Sequence, residues 1–165
     1  MKKFFLLVPI ILISILVALF FSTRKEKLNI YSLNIQTEEI GIKSQIEIKK
    51  SLSLEDKLKV LINTLSKENF ENKKIEFLEI KNEGNQKIAY FNLVDTNEKD
   101  SWYPYFQGSL GAFSTKLSIV ESLLQRDYTG KWVDGIKISY NGKYEEFDHI
   151  NFEDVVYWRN INAKK

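Results

Sequence analysis

The chain has 165 residues, 28% of them charged, a formal net charge of +2, one histidine and no cysteine. The missing cysteine excludes a disulfide framework, a thiolate metal site and a lipid-modified cysteine, and a lone histidine is too little for a zinc centre. Lys2 and Lys3 are the only charged side chains before Ser22; without them 22 basic residues face 22 acidic ones, so the body is neutral and offers no basic stripe to a nucleic acid.

The first element is an uncharged apolar run over residues 4–21, broken only by Pro9 and Ser14. At about 1.5 Å per residue it spans roughly 27 Å, close to a hydrocarbon core of about 30 Å. It ends Ala18, Leu19, Phe20, Phe21, Ser22, which lacks the small-residue pattern of a signal-peptide cleavage site. The expectation is an uncleaved signal anchor, with residues 1–27 as membrane segment and tether and residues 28–165 as one domain. Positive charge flanks both ends, Lys2 and Lys3 before and Arg24, Lys25 and Lys27 after, so the flanks nearly balance; the body is placed outside the cytoplasm.

LNIYSLNI (28–35) reads as a strand with Tyr31, Leu33 and Ile35 on one face, and a second extended stretch follows with Ile40, Ile42, Ile46 and Ile48 alternating against polar neighbours. The period then changes. Leu54, Leu58, Leu61, Ile62 and Leu65 recur at helical spacing behind a Ser53/Asp56 capping box, with Lys57, Lys59, Lys67 and Glu68 on the solvated face. IEFLEI (75–80) and KIAYFNLVD (87–95) flank the turn-rich NEGNQ and predict an antiparallel pair, the second strand near the middle of a sheet with Ala89, Phe91 and Leu93 toward the core. Leu110, Phe113, Leu117, Val120 and Leu124 predict a second helix ending near Asp127. Ile136, Ile138 and Tyr140 alternate before Asn141 and Gly142, a strong type I′ hairpin signal. The expected fold class is α+β, a single mixed or antiparallel sheet with two helices packed on one face.

The segment SWYPYFQGSLGAFST (101–115) concentrates aromatics, glycines and hydroxyls. Gly108 and Gly111 are too close for a P-loop and no lysine is placed as that motif requires; nor does a serine sit midway between glycines as in a nucleophile elbow. As a folding junction it makes sense: Gly108 allows a sharp turn, Ser109 or Ser114 can cap free amides, and Gly111 with Ala112 lets the helix approach the sheet. Trp102, Tyr103, Tyr105 and Phe106 would then cover an open edge of the core.

The ordered set IAYFNL (88–93), QGSLGAFST (107–115), VESLLQ (120–125) and WVDGIKISYNG (132–142) resembles the sporulation and spore germination domain of GerMN type, over roughly residues 54–142. The aromatic run 102–106 and the tail after Asn141, with Asp148 and His149, fall outside that pattern. The resemblance implies an extracytoplasmic domain akin to the ring-building modules of sporulation membrane complexes, anchored here by residues 4–21, without catalytic residues or cofactors. The positions it marks as architectural are Asn92, Gly108, Ser109, Gly111, Gln125, Gly135 and Gly142.

The expected function is therefore non-enzymatic assembly with other extracytoplasmic envelope or sporulation proteins, through a sheet edge or helix face. Self-assembly through an edge is open, although Lys and Glu along residues 75–87 oppose careless pairing. The alternative is a peptidoglycan-binding module in which Trp102, Tyr103 and Tyr105 stack on sugars. A hydrolase is the least favoured reading: a triad would have to use His149, beside Asp148, while Glu145 and Glu146 alternate to opposite strand faces and make a poor acid/base pair. Asp134 and Asn141 are explained by turn chemistry.

Overall fold

The structure, a computed structural model, describes residues 24–160 except 145, 148 and 154. The apolar run 4–21, Glu145 and Asp148 lie outside the described residues. In chain order come β1 (Lys25–Asn34), β2 (Glu39–Lys49), α1 (Leu54–Asn69), β3 (Lys74–Glu83), β4 (Gln86–Val94), α2 (Ser109–Leu124), β5 (Gly135–Tyr140), β6 (Glu146–Phe147), β7 (Ile150–Asn151) and β8 (Tyr157–Trp158). Short 3-10 turns occupy Glu98–Asp100 and Tyr103–Phe106.

α1 follows from its local sequence. Ser53 Oγ accepts the Asp56 amide at 3.1 Å and donates to its carboxylate at 2.6 Å, and Leu58, Leu61, Ile62 and Leu65 are buried. Lys57, expected in solvent, is buried instead. Its ammonium pairs with Glu26 of β1, whose other carboxylate oxygen accepts the Tyr128 hydroxyl at 2.6 Å. The core-facing carboxylate requires a cation, and Lys57 is the one the first turn of α1 supplies. Burial, reinforced by that carboxylate, pushes the Tyr128 phenol up.

β3 and β4 form the expected antiparallel pair, and β4 lies centrally between β3 and a parallel β5. Ala89, Phe91 and Leu93 are fully buried. Asn141 and Gly142 take positive φ of 47° and 77°, as a type I′ turn needs, yet the chain beyond them adds only a single bridge, Tyr140 to Lys143. β8 returns to pair with β5 from the other side.

Two expectations need correction. The strands do not make one sheet: β3-β4-β5-β8 form a four-stranded mixed sheet, while β1-β2 and β6-β7 are separate hairpins. The apolar face expected for α2 holds only in its second half, since Val120 and Leu124 are buried but Leu110 and Phe113 are 41% and 51% exposed, and Ala112, Thr115, Ser118, Ile119, Ser122 and Leu123 widen the buried stripe. The separation of the first hairpin and the turning of α2 share one cause, the packing of α2 along β1. The core joins Leu28, Ile30 and Ile48 of the first hairpin to Leu58, Leu61 and Leu65 of α1, Phe91 and Leu93 of β4, and Ile119 and Leu123 of α2. Because alternation and register place Leu28 and Ile30 on the core side, Tyr31 and Leu33 lie on the opposite face, and Ile35 is exposed beyond the strand end.

At Gly135 a Cβ would stand 2.6 Å from Val156 Cγ1, 3.1 Å from Ile88 Cδ1 and 3.2 Å from the Trp158 ring. Gly135→Ala is therefore expected to lower the unfolding free energy by about 1–3 kcal/mol, read as a reduced urea midpoint at unchanged slope.

Candidate functional site

A β-strand has two hydrogen-bonding edges, and β1 gives one to β2. Its other edge is met by side chains. Gln125, buried and held in the left-handed region at the C-cap of α2, accepts the Asn29 amide at 2.9 Å and donates to the Asn29 carbonyl at 2.5 Å. Ser122 Oγ accepts the Tyr31 amide at 2.9 Å, and Asn69 of α1 donates to the Tyr31 carbonyl at 2.8 Å. Three side chains from two helices thus replace a neighbouring strand. Gln125 has a role here that its place in a sequence pattern does not reveal.

The end of β4 is organised by a second polar cluster. Asn92 Oδ1 accepts the Gly142 amide at 2.9 Å and the Ser139 hydroxyl at 3.0 Å, so it fixes the turn after β5. Asp95 accepts the Trp102 amide at 2.7 Å, the Ser101 hydroxyl at 3.0 Å and the Tyr140 hydroxyl, while its own amide donates to Asn141 Oδ1 at 2.9 Å. Burial alone would raise the Asp95 pKa, but the donors from Tyr140, Trp102 and Ser101 outweigh it and hold the carboxyl below its ordinary range. Sequence reasoning missed this residue. Its only signal was an aspartate closing a strand just before the aromatic segment.

The aromatic segment is part of the core lid. Trp102 is fully buried, donates its indole N–H to the Lys74 carbonyl at 3.1 Å, and packs with Phe70 and Tyr105 at ring separations of 5.0 and 5.8 Å. Phe106 packs on Tyr140 and Phe152. Trp102 and Phe106 thus cover the core as the folding-junction reading expects, and Trp102 cannot belong to the sugar-stacking platform of the alternative; Tyr103 is exposed and Tyr105 half-buried. Gly108 has a φ of 69° at the N-cap of α2, but neither Ser109 nor Ser114 caps the helix: no side chain hydrogen-bonds there. Gly111 is exposed with open space above its Cα, so Ala112, which is buried, makes the close approach instead. Asp134 accepts the Lys87 amide at 2.8 Å and its own amide donates to the Lys87 carbonyl at 2.8 Å, so it links the starts of β4 and β5 across the sheet instead of closing the local turn expected of it. His149 is exposed between β6 and β7, and Glu146 is exposed nearby in sequence. Among the described residues no group of three or more His, Cys, Asp or Glu side chains is arranged to hold a metal.

The surface that stands out is the far end of the first hairpin. Register pairs Tyr31 with Ile42 and Leu33 with Ile40 on one face. Tyr31 and Leu33 are buried, but Ile40 and Ile42 are 37% and 50% exposed and Ile35 is 59% exposed. Ile40 and Ile42 line an open groove of about 480 Å³ with Leu33, Thr37 and Gly41, rimmed by the charged Glu39 and Lys43. A second groove, of about 250 Å³, brings Ile35 alongside Pro104, Tyr105, Gly111 and Ser114. Sequence alternation placed these isoleucines in strands but did not distinguish the covered half of the hairpin from the uncovered half.

Among the described residues no helix is long and apolar enough to cross a membrane. Comparison of the chain with protein-family models, curated proteins and solved structures finds no match.

Gln125→Met removes both polar partners of Asn29 at similar volume; a loss of about 2–4 kcal/mol is expected in urea unfolding. Because the Asp95 pKa is depressed on folding, its contribution is complete above the ordinary carboxylate pKa and is lost as pH falls through the lower folded value. Asp95→Asn should accordingly lower stability at neutral pH and flatten the acid limb of a stability–pH profile, whereas an unchanged limb would show that Asp95 does not contribute to it.

Proposed function

We propose that the chain is a non-enzymatic, membrane-anchored extracytoplasmic module that assembles with other envelope proteins of sporulation or spore germination. The observation that carries assembly is the apolar hairpin end, where Ile35, Ile40 and Ile42 face solvent beside two grooves. Apolar surface grouped in this way favours a protein partner over water. The apolar run 4–21 supports the anchor, and the ordered resemblance over residues 54–142 supports the sporulation setting. Peptidoglycan binding through the aromatic run has less in its favour, because the Trp102 ring is withdrawn into the core.

A fluorescent fusion whose reporter folds outside the cytoplasm should concentrate at the engulfing membrane during sporulation; uniform signal unchanged by sporulation would count against the proposal. Photocrosslinkers at Thr37 and Gly41 should capture a defined protein in that membrane. Ile40→Ser with Ile42→Ser should abolish capture while lowering the unfolding free energy by only about 1.5–3 kcal/mol, since both side chains are already partly in water, and leaving the far-UV circular dichroism of the folded chain unchanged. Equal capture by the double variant would remove the hairpin end from the interface.

A further inference from the structure

The charges of the body cancel in sum but not in place. Along β1, Lys25 and Lys27 alternate with Glu26 and Leu28, so the two lysines share the face turned away from the core. Register sets Lys25 beside Lys49 and Lys27 beside Glu47. One face of the hairpin base thus carries three lysines and one carboxylate, and that carboxylate lies 2.9 Å from the Lys25 ammonium. Arg24 and Lys50 adjoin them, the Lys50 amide donating to the Arg24 carbonyl at 2.8 Å. Lys27, Lys49 and Lys50 are exposed. Of the other nearby acids, Glu26 points coreward onto Lys57 and Tyr128, Glu55 and Asp56 belong to α1, which packs on the hairpin's other side, and Asp127 lies farther along the face, where it accepts the Tyr31 hydroxyl at 2.9 Å. Directly opposed like charges such as Lys25 and Lys49 destabilise a hairpin unless an anion lies over them.

We propose that this base is a docking face for an anionic phospholipid bilayer, the same membrane that residues 4–21 enter. The inference rests on the anchor reading above and deepens it. Only residues 22–24 separate the apolar run from β1, and at about 3.3–3.6 Å per residue they reach roughly 11 Å. That is close to the Debye length of about 8–10 Å at physiological ionic strength, so the cluster is held where headgroup charge is still felt. β1 rises about 3.3 Å per residue, which sets the apolar end of the hairpin roughly 30 Å from the base, at the end remote from the bilayer. Lipid contact would then fix which way the isoleucines are presented.

Because the chain has no cysteine, a single introduced one carries a unique label. Ser51→Cys beside the base and Thr37→Cys at the far end, each with a fluorophore, are compared in full-length protein in nanodiscs bearing headgroup quenchers. In discs one-third phosphatidylglycerol the Ser51 label should be quenched at least about threefold more than the Thr37 label. That difference should narrow at least about twofold, to what the short tether alone imposes, in phosphatidylcholine discs, in about 0.5 M salt, and in the variant Lys27→Gln, Lys49→Gln, Lys50→Gln. Equal quenching at both sites, or a difference indifferent to lipid charge, overturns the inference while leaving the anchor intact. If the chain does not co-elute with discs, the anchor reading fails. The face is then decided by sedimentation of the free chain with the same anionic vesicles, where each neutralised lysine must weaken pelleting roughly fivefold and no pelleting overturns it.

Discussion

The fold depends on how the second edge of β1 is satisfied. An amide and carbonyl left unpaired beside the core cost about 1–3 kcal/mol each, and Asn29 and Tyr31 present two of each on that edge. A further strand would have solved the problem by extending the sheet. Here the side-chain amides of Gln125 and Asn69 and the hydroxyl of Ser122 do so, which ends the hairpin as a separate two-stranded unit and ties both helices to it. The left-handed conformation of Gln125 serves the same end, because the chain must leave α2 there while the side chain turns back to β1.

The composition of α2 follows from that contact. A helix that hydrogen-bonds a strand edge through Ser122 and Gln125 must come close to it, and small side chains such as Ala112, Ser118 and Ser122 occupy its buried stripe. Hydrophobic periodicity ranks Leu110 and Phe113 above serine and threonine, so it misplaces the buried face in the first turns of α2 while finding Val120 and Leu124 in the last. Where burial is driven by apolar area the sequence is readable: the α1 stripe, its capping box, β4 and the Asn141–Gly142 turn all match local expectation. Where burial is driven by polar satisfaction across long sequence separations, it is not. Lys57 with Glu26, Gln125 with Asn29 and Asp95 with Tyr140 each join residues that no short motif connects.

The same distinction applies to the candidate surfaces. Trp102 and Tyr103 are adjacent aromatics of similar local character, yet one is core and the other is exposed, because the 3-10 turn at Tyr103–Phe106 folds the chain over Phe70 and the indole finds the Lys74 carbonyl. The isoleucines of β2 present the converse. Ile46 and Ile48 meet the core, whereas beyond the irregularity near Ile30 and Tyr31 the register moves Ile40 and Ile42 onto the opposite face, where they stay exposed although their partners Leu33 and Tyr31 are buried.

That register shift gives the hairpin its polarity. Its outward face runs from Lys25, Lys27 and Lys49 at the base, through Asn29 and Gln45 bonded to one another at 2.9 Å, to Ile42 and Ile40 at the far end. A uniformly polar face would have made the hairpin a solvated flap, and a uniformly apolar one would have recruited a second sheet along its whole length. With charge at one end and apolar surface at the other, roughly 30 Å apart, two different surroundings can be engaged at once by a body whose summed charge is zero. Net charge is therefore a poor guide to this molecule, and pairing register, which decides which charges stand side by side, is the quantity on which its interactions turn.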